Sequence, residues 1–347
     1  FKCTFCYRMD PGYRMRAPEP MLDEVEMLHK DYGVTYISFQ DDLLMSSVEH
    51  TEAVCLEFLK RDLPIKWSCN GRLNYCSKEL LQLMKDAGCH FINYGIESMD
   101  QNVLNNMKKG LRPEMITKGI EDTLKVGISP GLNFIFGNIG DNEKTIKLTV
   151  DFLIKYDDFA QKRTIRPVTP YPGSPLYYEA IKRGLLDKDN PAEDFYERKH
   201  LNSDLICCNF TELTDEDYYE CLRWANSTLM KNYYDKQRNS TLAQIDHLYK
   251  EKDASFRGFR HTTGPWGQKG EALNTKTKAI GGKKTMIGQV NWESSTVSDA
   301  DRFSQQLTPK DGKKNLKRFD EYLKKKSIRL ASKKAAKNKA VNLKSTS

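Results

Sequence analysis

Cys3-Thr4-Phe5-Cys6 places two thiols three positions apart, and that spacing suits three chemistries. A zinc site needs two further Cys or His at matching spacing. The other cysteines (Cys55, Cys69, Cys76, Cys89, Cys207, Cys208 and Cys221) form no second CxxC. A dithiol redox pair follows a strand and opens a helix, whereas Tyr7–Pro20 is proline-broken and reads as a loop. Thiolate ligation of iron is the third chemistry. Farther on, Asp41-Asp42 is a pair of adjacent carboxylates at a strand end. A carboxylate there can accept hydrogen bonds from a cationic amine, or simply favour a helix N-terminus. Cys55, Cys69 and Cys76 read as packed thiols. His29, His50 and His90 read as solvated or core histidines.

The elements that must position these groups alternate. Candidate strands are Val34–Phe39, Ile65–Cys69, Phe91–Gly95, Gly131–Phe136 and Thr164–Val168, starting roughly every 25 to 40 residues, the period of a βα unit. Between them, Met21, Leu22, Val25 and Leu28 recur at helical spacing, and Ser46-Ser47-Val48-Glu49 fits a capping box. Ser77 precedes a further apolar stripe, Pro113 suits a first helical turn, and Asp141 suits an N-cap. Strands alternating with helices predict a parallel sheet, open or closed into a barrel. Leu185–Phe210 reads as a loop and Asp215–Tyr249 as helical.

Length, 347 residues, allows one large domain or two ordinary ones. No apolar run reaches the length of a membrane helix, and irregular cysteine spacing excludes a small disulfide scaffold. The net charge of +8 is uneven. Residues 310–344 carry 14 Lys and Arg against three acids, a net +11, so the rest is net −3 and is no basic nucleic-acid-binding body. Polar residues and glycine breaks over 252–306 predict disorder.

Five landmarks in order now point one way. Cys3-Thr4-Phe5-Cys6 is followed by Phe39-Gln40-Asp41-Asp42, Ser68-Cys69-Asn70-Gly71-Arg72, Tyr94-Gly95-Ile96-Glu97-Ser98, Asn133–Gly140 and Pro170–Tyr177. Over about residues 1–185 the chain resembles radical S-adenosylmethionine (SAM) enzymes, and within them the subgroup carrying an N-terminal cobalamin-binding domain. The family's cluster loop is CxxxCxΦC; Cys3, Phe5 and Cys6 match its second cysteine, aromatic and third cysteine. The first cysteine would fall two positions before Phe1.

The resemblance implies an α/β fold: a partial (βα)6 TIM-like radical SAM barrel lacking its first strand, then a helical segment and a disordered basic tail. The corresponding divisions are 1–185, 186–250 and 251–347. It implies a [4Fe–4S] cluster on Cys3 and Cys6, with SAM on the cluster's open iron and reductive cleavage to a 5′-deoxyadenosyl radical. Phe5 would pack on the adenine, Asp41 or Asp42 would receive the SAM amine, Arg72 its carboxylate and Glu97 the ribose. Gly137 and Gly140 would let the backbone approach the adenosyl group. Cobalamin would sit on a domain upstream of Phe1, making methyl transfer or rearrangement of an organic substrate the expected outcome. A truncated core of this kind is expected to assemble its cluster poorly and turn over weakly or not at all. An electron donor such as flavodoxin or ferredoxin is the expected partner, with no membrane span, and free thiols place the chain in a reducing cytoplasm. Two alternatives are a tRNA-modifying methylthiotransferase relative and a non-catalytic fragment whose basic tail binds nucleic acid.

Overall fold

The computed structural model describes residues 3–7 and 14–252; the expected disorder of the tail beyond them lies outside the described residues. Five parallel strands, β1 (Tyr36–Ser38), β2 (Lys66–Gly71), β3 (Cys89–Glu97), β4 (Ser129–Phe136) and β5 (Ile165–Pro167), stand side by side in sequence order. All five coincide with strands expected from the sequence. Every crossover is helical: α2 (Val48–Arg61), α3 (Lys78–Asp86), the pair α4 (Gln101–Asn106) and α5 (Pro113–Lys125), then α6 (Glu143–Lys155). Sequential order with crossovers of one hand puts all of these helices on one face, so the sheet curls into a half-barrel. Helix α1 (Pro18–Tyr32) packs beside α2.

Side-chain alternation divides the sheet. Trp67 and Cys69, Ile92, Tyr94 and Ile96, Leu132, Phe134 and Phe136 face the helices and fill the main core. Phe58 stacks on Trp67, with ring centroids 5.5 Å apart. The residues between them (Ser68, Asn70, Asn93, Gly95, Asn133) face the other way, into the concave side.

The caps differ from expectation in two places. Ser47, not a Ser46–Glu49 box, caps α2, accepting from the His50 N–H at 3.1 Å. Asn142, not Asp141, caps α6, because Thr145 returns a reciprocal bond to the Asn142 backbone and completes a capping box. Ser77 caps α3 and Pro113 opens α5 as expected.

After β5 come α7 (Pro175–Arg183), α8 (Pro191–Arg198) and α9 (Asp215–Glu251). Helix α8 lies inside the segment expected to be loop; its only buried residue is Phe195, so its sequence carries no apolar stripe. Helix α9 seals the sheet edge. Its Asn226 amide accepts from the Ile165 N–H (2.8 Å) and donates to the Ile165 carbonyl (3.0 Å), standing in for a neighbouring strand. Among the described residues, no helix is long and apolar enough to cross a membrane.

Candidate functional site at the strand ends

The CxxC segment is strapped across the C-terminal side of the sheet by backbone bonds. The Thr4 N–H donates to the Met107 carbonyl after α4, and the Leu176 N–H at the start of α7 donates to the Thr4 carbonyl, each at 2.9 Å. A turn closed by Cys6 N–H to the Cys3 carbonyl (3.3 Å) brings the two thiols together. Cys3 is buried and Cys6 exposed.

The two thiols share one proton unequally. The Cys6 thiol beside it pulls the Cys3 thiol down; burial opposes this, and the Lys109 and Arg72 cations add to it. Cys6 is pushed up, chiefly by the same contact and by burial. The segment therefore offers a thiolate at Cys3 near neutral pH, the form that ligates soft metals.

Lys109 organises the floor of this site. Its ammonium donates to the Glu97 carboxylate at 3.0 Å, with both side chains about nine-tenths buried. It also lies 5.5 Å from the Phe5 ring centroid, within cation–π reach. Glu97 gets there by a bulge: β3 carries one extra residue between Gly95 and Glu97 relative to β4, and Glu97 adopts φ +75°. Arg72 reaches the same place from the end of β2, donating to the Lys109 carbonyl at 2.9 Å. Five expected residues, Cys3, Phe5, Cys6, Arg72 and Glu97, thus meet around Lys109. Lys109 is not among the site residues expected from the sequence.

The other expected residues stand apart from that cluster. Asp41 and Asp42 are exposed at the end of β1, where the Asp41 carbonyl accepts from the Asn70 amide at 2.9 Å. Gly137 (φ +97°) closes β4, but a Cβ there would overlap the Tyr218 hydroxyl, which donates to the Phe136 carbonyl. The glycine makes room for α9 at this point. Asp141, buried, accepts from the Gly137 and Asn138 N–H groups at 3.0 and 2.9 Å and from the Thr145 hydroxyl at 2.7 Å, fixing the turn. Burial pushes its carboxyl up to about 6 against those bonds. Among the described residues, the buried Thr169 Oγ1 in the neighbouring strand-end segment has no hydrogen-bond partner. Among the described residues, no three Cys, His, Asp or Glu converge as a metal site.

Residues 1–153, which contain the strapped CxxC and the first four strands, match the family described as the Radical SAM superfamily. Over this segment, somewhat under half of its length, the chain belongs to the radical SAM superfamily. Among relatives, it is 28% identical over 215 residues to an uncharacterized methyltransferase of Pyrococcus horikoshii, covering 59% of this chain and 46% of that protein. It is also 28% identical over 254 residues to the bacteriochlorophyllide d C-12(1)-methyltransferase of Chlorobaculum tepidum, covering 68% and 52%. The chain thus spans about half the length of these relatives. A solved structure of the cobalamin-dependent S-adenosylmethionine radical enzyme OxsB, with aqua-cobalamin and S-adenosylmethionine bound, superposes with a TM-score of 0.50 at 13% identity. That likeness covers 92% of this chain and 56% of the other and concerns the fold. The partial TIM-like radical SAM barrel expected from the sequence agrees with the five-stranded parallel sheet and with this likeness.

Proposed function

We propose that this radical SAM chain holds a [4Fe–4S] cluster through Cys3 and Cys6, binds SAM beside it, and serves methyl transfer to an organic substrate. The observation that supports this most is the Cys3 thiolate strapped over the Glu97–Lys109 pair with Arg72 alongside. The donor set suits the cluster: two soft thiols meet on one turn, and two cations stand by to balance the negative charge of thiolate-bound iron. The Thr169 hydroxyl, buried with no partner among the described residues, leaves hydrogen-bonding capacity for a polar cofactor.

When bound, cluster and SAM together supply one-electron cleavage of a carbon–sulfur bond; the protein positions and shields them. Cys3 stays deprotonated chiefly because the Cys6 thiol donates to it, with the Lys109 and Arg72 charges adding to this against burial. Arg72, which donates to the Lys109 carbonyl and through Nε to Asn74 Oδ1 at 3.3 Å, would bring its guanidinium charge to the SAM carboxylate. Glu97 would take the ribose, Phe5 the adenine, and Asp41 or Asp42 the SAM amine. Gly137 would present its backbone to the adenosyl group, in a turn that Asp141 fixes at the Gly137 N–H and Tyr218 at the Phe136 carbonyl. No described residue is assigned to cobalamin. A flavodoxin- or ferredoxin-type protein would deliver the electron, in a reducing cytoplasm.

Anaerobic reconstitution with iron and sulfide tests this. Bound iron, the electron paramagnetic resonance signal after reduction, and SAM retention should all fall in Cys3→Ala and Cys6→Ala. Unchanged iron and spectrum in the doubly substituted chain would overturn the assignment.

A further inference from the structure

Cys207 and Cys208 are the only adjacent cysteines in the chain, and the cofactor site does not use them. They are 5% and 3% exposed, in a second apolar cluster built from α7, α8 and the connection between α8 and α9. The two thiols hydrogen-bond to each other, and Cys208 Sγ also donates to the Leu185 carbonyl at 3.8 Å. Cys69 and Cys89, two touching thiols in the main core, provide a contrast. There the Cys89 thiol, burial and the Asp41 charge all push Cys69 up. At Cys207 the Cys208 thiol pulls the pKa down; burial and the Asp194 charge oppose this, and the Arg198 and Lys199 cations add to it. Reactive thiols sit beside such cations, whereas thiols packed in apolar surroundings are inert.

The pair lies where the chain opens most easily. No helix or strand runs between Arg198 and Asp215, and Leu205, just before the pair, is half exposed. Such a connection opens locally at less cost than a core strand. One helix links it to the CxxC turn. At the start of α7 the Leu176 N–H donates to the Thr4 carbonyl at 2.9 Å, and just past its end the Leu185 carbonyl receives Cys208. Leu176, Tyr177 and Ala180 of α7 pack in the thiol cluster, and Phe5 of the CxxC packs against it.

We propose that Cys207 and Cys208 form a reversible oxidation site, closed to a disulfide by a hydroperoxide, and that closure loosens the strap on the CxxC turn. The Cys207 thiolate attacks the peroxide; the O–O bond breaks, and the departing alkoxide or hydroxide takes a proton. The Cys208 sulfur then attacks the Cys207 sulfenic acid, forming the S–S bond, and the displaced hydroxide leaves as water with the Cys208 proton. The two thiols lose two electrons, and the hydroperoxide is reduced to an alcohol, or water, plus one water. Adjacent Cα atoms are about 3.8 Å apart, short of the roughly 4.4 Å minimum usual for a disulfide, so the ring is strained and readily reduced. Closure also takes the Cys208 hydrogen from the Leu185 carbonyl, leaving that carbonyl to Arg198 Nη1 at 3.2 Å and weakening the hold on the far end of α7. The site goes beyond the proposed function and stands whether or not the CxxC holds a cluster.

Hydrogen peroxide is the probe, added anaerobically to the full chain and to a Cys3→Ser/Cys6→Ser variant in which the CxxC cannot close. Differential alkylation read by tandem mass spectrometry should show Cys207 joined to Cys208, Cys69 and Cys89 still reduced, and the change reversed by dithiothreitol. In the Cys3→Ser/Cys6→Ser variant, amide exchange at Leu176 should speed up by roughly fivefold to tenfold on closure, the protection of about one hydrogen bond. Dithiothreitol should restore the slower exchange, and adding Cys208→Ala should abolish the response. An adjacent pair that stays reduced overturns the proposal. So does equal oxidation of Cys69 and Cys89, which would report general unfolding. Closure that leaves exchange at Leu176 unaltered overturns it as well.

Discussion

Glu97 and Lys109 form a buried ion pair at 3.0 Å beneath the CxxC turn, joining the bulged end of β3 to the segment after α4. Removing one partner of such a pair leaves the other charge buried without compensation, at a cost of about 3–5 kcal/mol. Lys109→Met should therefore lower stability by about that much, and Glu97→Gln by a similar amount. The double variant Glu97→Gln/Lys109→Met should be more stable than Lys109→Met alone. Urea denaturation of the four proteins checks this. Strict additivity of the two losses would refute the coupling.

Gly137 should not accept a side chain. Its φ of +97° disfavours any L-residue, and a Cβ would meet the Tyr218 hydroxyl. Gly137→Ala should cost more than about 2 kcal/mol, from backbone strain plus displacement of α9. Adding Tyr218→Phe to Gly137→Ala should recover part of that loss, because the clashing oxygen is gone. Thermal denaturation that shows no recovery would place the cost in the backbone and in the ring carbons that remain, Cζ and, at 2.8 Å from that Cβ, Cε1.

Why the strands were legible and the site only partly so follows from what each depends on. The strands are short apolar runs between Gly, Pro and cap residues, and Ile65–Cys69 or Gly131–Phe136 show this locally. The thiols, Arg72 and Glu97 were legible because they lie at fixed places in ordered landmarks. The Lys109 contact was not, because it depends on a bulge and on the path after α4. The hydrogen bonds from Asn133 to Asn93 and from Asn93 to Asn70 were hidden for a similar reason: the three are ordinary strand residues until register sets Asn70 beside Asn93 and Gly95 beside Asn133. Asp141 and Asn142 are equally good caps by type; the reciprocal Thr145 bond decides between them.

Asn226 is a further residue that acts through an edge. Its amide takes both backbone groups of Ile165, so Asn226→Leu leaves an N–H and a carbonyl of β5 without partners. The expected cost is about 1–3 kcal/mol for each unsatisfied group that stays dry. Amide hydrogen exchange at Ile165 should speed up in Asn226→Leu while exchange in β2 and β3 stays unchanged. Unaltered protection at Ile165 would show that the helix is not what closes this edge.

Two buried groups give stability opposite dependences on pH over the same acidic range. His90 donates through Nδ1 to the Trp67 carbonyl at 3.0 Å, and burial lowers its pKa from 6.5 to about 4. The unfolded chain takes its proton first, so the His90 contribution is full above 6.5 and is lost as pH falls through about 4. Asp141 is the reverse: its pKa rises from 3.8 to about 6, so its contribution is full below 3.8 and is lost as pH rises through about 6. Each shift corresponds to on the order of 3 kcal/mol at about 1.4 kcal/mol per pH unit. The unaltered chain should thus show little net slope from these two groups between pH 4 and 6. The stability difference between it and His90→Gln should grow as pH rises across that range, and the difference from Asp141→Asn should shrink. Urea denaturation at half-unit pH steps reads both. Difference curves sloping the same way would show that one of the two groups is not titrating as its burial requires.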